Sequence, residues 1–468
     1  MQFTPSRIPL AHDLSVFRRL LAACQSCCRE DDLKRLVSVS IDIPTVDPLA
    51  VLEKWRDDNE HFFYWERPTQ SVAVAAFCPE LVHAPEHNRF SQTQEFIDAT
   101  LEGAAIHGNL SLPFSGPHFF CGFTFFEDTT DSPFPAGLTF LPRWQVVRHE
   151  ARSLLVANFA VDSHSSVEQL TGALEEKLRA LQTETFEVAS RRQGVAFLIP
   201  PKSPTERIRA ATDHALRLIA ADKLQKLVLA HPLDITTTQP LPVGDTLNRL
   251  RRHYPECFTF AVGNGAGQTF WGASPERLVQ FNNGEVLSDV LAGSAPRGET
   301  VVEDLLLGKT LMNNRKDCHE HQLVLDYISN QFQALGMQPQ VTSPAQLMQL
   351  ANIQHLRTRI RAQAPAKLNL LEILAALHPT PAVAGTPHRQ ACDYIRKIEI
   401  FNRHLYAAPV GWINYQGNGD FAVGIRSALS NGCQTRFYAG AGIVAGSEPA
   451  KEVAEVELKL RTLLEALS

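Results

Sequence analysis

The pattern of apolar and polar positions is irregular over the first 190 residues and sharper beyond them. In the first stretch, Phe62-Phe63-Tyr64-Trp65 and Val72 to Phe77 read as apolar strands, as does Leu154 to Val161. Phe119 to Phe123 is a further strand, with Gly122 placed where a close backbone approach is expected. Thr93 to Ala105 reads as a helix. No repeat period appears, and the polar run from Ala189 to Gln193 is the nearest thing to a seam. Beyond it, Ser203-Pro204-Thr205-Glu206 has the form of a capping box, followed by a helical face at Ile208, Ala211, Ala215, Leu218 and Ile219.

The chain then switches to a strand at Lys226-Leu227-Val228-Leu229-Ala230, where Lys226 and Val228 share a face. A lysine there is either an edge residue whose tail reaches solvent or a functional amine. Asp304 to Phe332 is helical, broken at Asn313-Asn314, and Leu368 to Leu377 is a helix ended by Pro379 and Pro381. Phe421, Val423 and Ile425 alternate as in a half-buried strand, and Arg436 to Ala439 is another. Strands separated by turns more often than by regular helices favour an α+β fold over a doubly wound one.

Composition narrows the classes. Hydrophobic residues make up 44% and charged residues 20%, an ordinary globular balance, and 468 residues exceed one simple core. The formal charge of -6 argues against a general nucleic-acid partner. The first residues lack the apolar core of a secretory signal, and no stretch has the roughly 18 apolar residues of a membrane span. Nine cysteines, an odd number, argue against a closed disulfide framework, so a reducing, cytoplasmic setting is expected.

Four places could carry chemistry. Lys316-Asp317-Cys318-His319-Glu320-His321 puts Lys316 and Glu320 one helical turn apart and the two histidines on different faces; Glu320 suits a hard ion such as Mg2+. Glu452, Glu455 and Lys459 share one face of the last helix, with Ser447 as its expected cap and Glu457 turned to solvent. The small residues from Ala439 to Gly446 before it would let backbone N–H groups approach an anion. Gly263 to Gly267 lacks the lysine and the strand-to-helix setting of a nucleotide loop and reads as a hairpin turn, and Glu276 beside Pro275 is a candidate proton donor.

In order, KLVLA at 226–230, GASPERLV at 272–279, LAGSAPRG at 291–298, KDCHEH at 316–321, QHLRT at 354–358, LHPTPAVAG at 377–385, GIRSA at 424–428 and YAGAGIVAG at 438–446 resemble the chorismate-utilising enzymes, and among them the isochorismate synthases. The resemblance runs from about Lys226 to Lys459; before residue 190 only FFYWERP at 62–68 and FFCGFTF at 119–125 share it. Ammonia-using members carry glutamine at the place of Lys226 and a different segment at His378 to Val383, while salicylate-forming members share the lysine. His231, Ala408, Asp420 and Val453 depart from the pattern.

The resemblance implies large antiparallel sheets packed together with surrounding helices. Residues 1–190 would be a divergent portion integrated into the same body, and 200–468 the chorismate-binding catalytic region. It implies Mg2+-dependent interconversion of chorismate and isochorismate, with Lys226 as base and Glu276 as acid. A lysine that titrates near about 10.4 needs a lowered pKa for that task, and the glutamate a raised one. Glu320, Glu455 and Glu452 would be metal ligands; Arg426 and Lys459 would meet substrate carboxylates; Gly440, Ala441 and Gly442 would offer backbone donors; His355, Thr358 and Ala382 would line the site. No glutaminase subunit is implied, and a monomer is the default.

Overall fold

The computed structural model describes residues 10–57, 59–188, 196, 198 and 205–467. Twenty strands join into one hydrogen-bonded network, antiparallel except where Arg35–Ile43 lies beside Ala105–Gly108, with helices around it. This is the α+β architecture expected.

The apolar runs explain how the network is buried. In His61–Arg67, Phe63 and Trp65 enter one hydrophobic cluster while Phe62 and Tyr64 enter a second, so both faces are covered. In Val72–His83 likewise, Val74 and Ala76 join the first cluster and Ala75 and Phe77 the second. Continuous apolar sequence, in place of alternation, follows from burial on two sides. The same reason corrects the expectation at Phe421 and Val423: every residue of Gly419–Val423 is buried, and Ile425 lies beyond the strand. Gly122 is no site of close backbone approach, since the nearest atoms a Cβ there would meet are side-chain ones, of Leu405 at 3.5 Å and Val262 at 3.9 Å.

Several local signals act as their chemistry requires. The long helical stretch divides into Val301–Asn313 and Arg315–Ala334, because the Asn314 side chain accepts from the amides of Lys316 and Asp317 and starts a new helix. Asn369 and Glu372 form a capping box for Leu370–Leu377. Gly265 and Gly267, both at positive φ, close the hairpin between Phe258–Asn264 and Gln268–Ser274. The helix expected after Ser203 runs Thr205–Ala220, while the cap itself and the seam at Ala189 to Gln193 lie outside the described residues.

Strands from early and late sequence are neighbours. His61–Arg67 pairs along its length with Phe258–Asn264, and His118–Phe123 pairs with Pro409–Asn414. We propose from these ladders that residues 1–190 and 200–468 fold as one body. Cutting the chain at a protease site engineered between residues 190 and 200 is expected to yield fragments that do not fold once separated. Recovery of a late fragment with its own cooperative unfolding transition would refute this.

Candidate active site

The strand Lys226–Thr236 is flanked on both sides. Lys226 lies opposite Val444 of Gln434–Val444 and opposite Thr386 of the short strand Gly385–Thr386. Its side chain has 0% exposure, which removes the edge-lysine alternative. A buried ammonium requires compensation, and Nζ lies 2.9 Å from Glu320 Oε1, though not in hydrogen-bond alignment. Glu320 is carried by the helix that Asn314 caps. Gly442 makes the approach feasible: a Cβ there would overlap Glu320 Oε1 and stand 3.1 Å from Lys226 Cε.

A cavity of about 710 Å³, including its mouth, opens beside this pair, a size suited to a small ligand. Glu276, Glu320, His355, Arg426, Glu455 and Lys459 line it. So do Ala382, Gly440 and Gly442. The remaining expected site residues stand behind the wall. Ala441 turns into the second hydrophobic cluster. Thr358 pairs with His321 Nε2 at 2.8 Å, and His321 Nδ1 faces the Ala292 carbonyl at 3.3 Å. A carbonyl only accepts, so His321 donates from Nδ1 and accepts the Thr358 hydroxyl. Lys226 is reached through Glu320.

Glu276 is 4% exposed, and burial above all raises its carboxyl to about 8, with Lys226 opposing and Asp289 adding. It is therefore chiefly protonated at neutral pH, as a proton donor must be. The next residue, Arg277, is held by two bonds of 2.9 and 2.8 Å to Asp420. Asp420 thus keeps a structural partner despite its departure from the family pattern. His231 is buried and pushed down to about 4 by burial and then by Arg207 and Arg403. Ala408 and Val453 are buried in apolar surroundings, and none of these four residues lines the cavity.

Three carboxylates each have a lysine. Glu455 meets Lys459 at 2.6 Å, Glu452 meets Lys316 at 2.7 Å, and Glu320 meets Lys226. Burial would raise Glu455, but Lys459 above all, with Lys316, outweighs it and holds it low. Glu452 is raised, first by burial and then by Glu455. Among the described residues no three acidic, histidine or cysteine groups form a ready metal cluster. Glu452 faces away from the cavity, its Oε2 buried without a hydrogen-bond partner. Of these three carboxylates, Glu320 and Glu455 line the cavity, which suits an ion needing one or two carboxylates and completing its shell from water and ligand.

Arg426 is 5% exposed and has no carboxylate within ion-pair distance among the described residues. Burial lowers its pKa, so an anion in the cavity would relieve it. Its backbone is left-handed, with φ 50°, and its carbonyl accepts from the Ala273 amide at 3.0 Å. A Cβ at Gly272 would overlap that carbonyl, which accounts for the glycine opening GASPE. Lys459 also donates to the Gly440 carbonyl at 2.8 Å, which holds its ammonium beside the cavity.

Two details of the last helix differ from expectation. Glu448 occupies the N-cap position before Pro449, and Ser447 instead turns back to accept from the Val444 amide. Glu457 is half-buried and accepts from Thr205 at 3.3 Å, because the helix Thr205–Ala220 packs there. Ser294, Tyr406 and Arg403 also line the cavity. Ser294 lay within a quoted motif; for Arg403, four residues after Glu399, the only signal was helical ion-pair spacing.

A family model described as chorismate binding enzyme matches residues 21–468. The chain belongs to that family. Two curated relatives span nearly its whole length. The salicylate biosynthesis isochorismate synthase of Pseudomonas aeruginosa is 33% identical over 98% of this chain and 96% of its own. Isochorismate synthase MenF of Bacillus subtilis is 31% identical, over 92% and 93%. Among solved structures, MenF of Escherichia coli, the menaquinone-specific isochorismate synthase, aligns with TM-score 0.77 and 26% identity, covering 96% of this chain and 100% of that one. The α+β body is thus that of a chorismate-binding enzyme.

Two outcomes follow from the geometry. Gly442→Ala should lower stability by about 1–3 kcal/mol by forcing Glu320 and Lys226 apart; an unchanged urea midpoint would show that they have room to spare. With its folded pKa raised above the usual carboxylate value, Glu276 favours the folded state at low pH. The contribution of Glu276 to stability should fall as pH rises from about 4.5 to about 8 and flatten above, so the difference in stability between wild type and Glu276→Gln should shrink across that window. Unfolding titrations of both proteins across this window test the sign.

Proposed function

We propose that this chorismate-binding enzyme is an isochorismate synthase, adding water at ring carbon 2 of chorismate with loss of the carbon 4 hydroxyl. The observation that carries the reading is a buried lysine behind Glu320 of the cavity wall, together with a buried Glu276 on that wall whose carboxyl is raised to about 8. Glutamine stands at the lysine position in ammonia-using relatives, and near full-length similarity to two isochorismate synthases supports the same choice.

The assigned roles follow from what the step demands. Arg426 and Lys459 meet the substrate carboxylates, with His355 holding Arg426 in place at 3.0 Å. Lys226, in its neutral amine form, accepts a proton from water as the new C–O bond forms, the ring double bonds shift, and Glu276 protonates the departing hydroxyl. Glu320 and Glu455 are the residues that would hold Mg2+. When bound, the ion supplies charge neutralisation and a template for the ring carboxylate. Engagement of Glu320 there would take from Lys226 its carboxylate partner. Among the described residues no helix is long and apolar enough to cross a membrane, and all nine cysteines are free. A monomer in a reducing, cytoplasmic setting, without a glutaminase subunit, completes the proposal.

Purified protein given chorismate and Mg2+ is expected to form isochorismate and stop at a mixture, because the two isomers differ only in the place of one hydroxyl. Chromatography with and without ammonium, coupled to a pyruvate readout, decides among the reactions. Stoichiometric pyruvate would indicate salicylate formation, an ammonium-dependent amine an amino-transferring enzyme, and bound but unconsumed chorismate a non-catalytic protein. Lys226→Gln should lower turnover by about 10² to 10⁴-fold. Chelation should abolish activity and Mg2+ restore it; full turnover by verified metal-free protein would remove the ion from the scheme.

A further inference from the structure

Ser294 stands at an irregularity in the strand Glu285–Pro296. Register with Ile353–Gln363 slips between Ala292 and Ser294, and Gly293 at the slip has φ 78°. A bulge of this kind re-aims the side chain that follows it. Here it sets Ser294 directly opposite His355 and on the cavity wall.

The hydrogen bonds around this pair have one consistent direction. A guanidinium only donates, so His355 Nε2 must accept from Arg426 at 3.0 Å. The imidazole proton then resides on Nδ1, which faces Ser294 Oγ at 3.0 Å and the Gly293 carbonyl at 3.3 Å. Burial and the neighbouring Arg426 hold His355 neutral. The Ser294 oxygen therefore accepts from His355. The order is Arg426 to His355 to Ser294, each group donating to the next.

We propose that Ser294 is a positioning residue for the isochorismate synthase reaction, its hydroxyl fixing the His355 ring that holds Arg426 and so aiming the guanidinium at the substrate carboxylate. The proposal rests on the function assigned above. Loss of the hydroxyl leaves His355 with only the longer contact to Gly293, while Lys226 and Glu276 are untouched. The defect therefore falls on binding more than on turnover.

Ser294→Ala is expected to raise the KM for chorismate about tenfold, the scale of one hydrogen bond, with kcat changed by less than about threefold. Ser294→Cys fills the same space with a weak donor and acceptor, and should behave like the alanine variant. In a His355→Ala background the serine substitution should have almost no further effect, because the histidine through which it acts is gone. Unchanged KM in Ser294→Ala, full recovery in Ser294→Cys, or effects that simply add in the double variant would overturn the assignment. Wild-type protein that binds chorismate without converting it would refute the proposed reaction alone, since the same cycle read as Kd still decides the role of Ser294.

Discussion

An ammonium group fully removed from water inside a sheet is the constraint around which this site is organised. Desolvating such an ion costs several kcal/mol unless an opposite charge comes close. That need accounts for the position of Glu320 on its helix, for the cap at Asn314 that starts the helix, and for the missing side chain at residue 442. The same solution recurs at Glu455 with Lys459 and at Glu452 with Lys316. Arg403, also on the cavity wall, is balanced by Glu399. Once these pairs are discounted and Glu276 is protonated, the charge of Arg426 is left over. The cavity is thereby biased toward an anion although the whole chain carries a formal charge of -6.

How much of this was legible in sequence depended on the range of the interaction. Asn314 announces its helix start because the amides it caps are two and three residues away. The helix ladder Glu455–Lys459 was visible for the same reason. Lys226 could be placed in a strand, but its burial depends on partners at residues 385–386 and 434–444, which no local pattern reveals. Phe421 and Val423 looked half-buried because strand spacing was read without the layers that cover both faces. Ser447 was mistaken for a cap because its hydroxyl has a nearer use at Val444. Ala441 and Thr358 belong to motifs that build the cavity, yet strand alternation and the His321 contact turn them away from it. Motif membership located the neighbourhood; the direction of each side chain came from tertiary pairing.

The ladder joining His61–Arg67 to Phe258–Asn264 also governs the order in which the molecule can assemble. During synthesis the aromatic strand leaves the ribosome almost two hundred residues before its partner exists. At roughly 5–20 residues per second that gap lasts about 10–40 s. Throughout it, Phe62, Phe63, Tyr64 and Trp65 have only the local strand Val72–His83 to pair with, and one edge stays open. An unpaired apolar edge is a template for association with other chains. The pairing of early with late strands therefore leaves an apolar strand edge exposed during translation, and the yield of soluble protein should depend on how well that interval is protected.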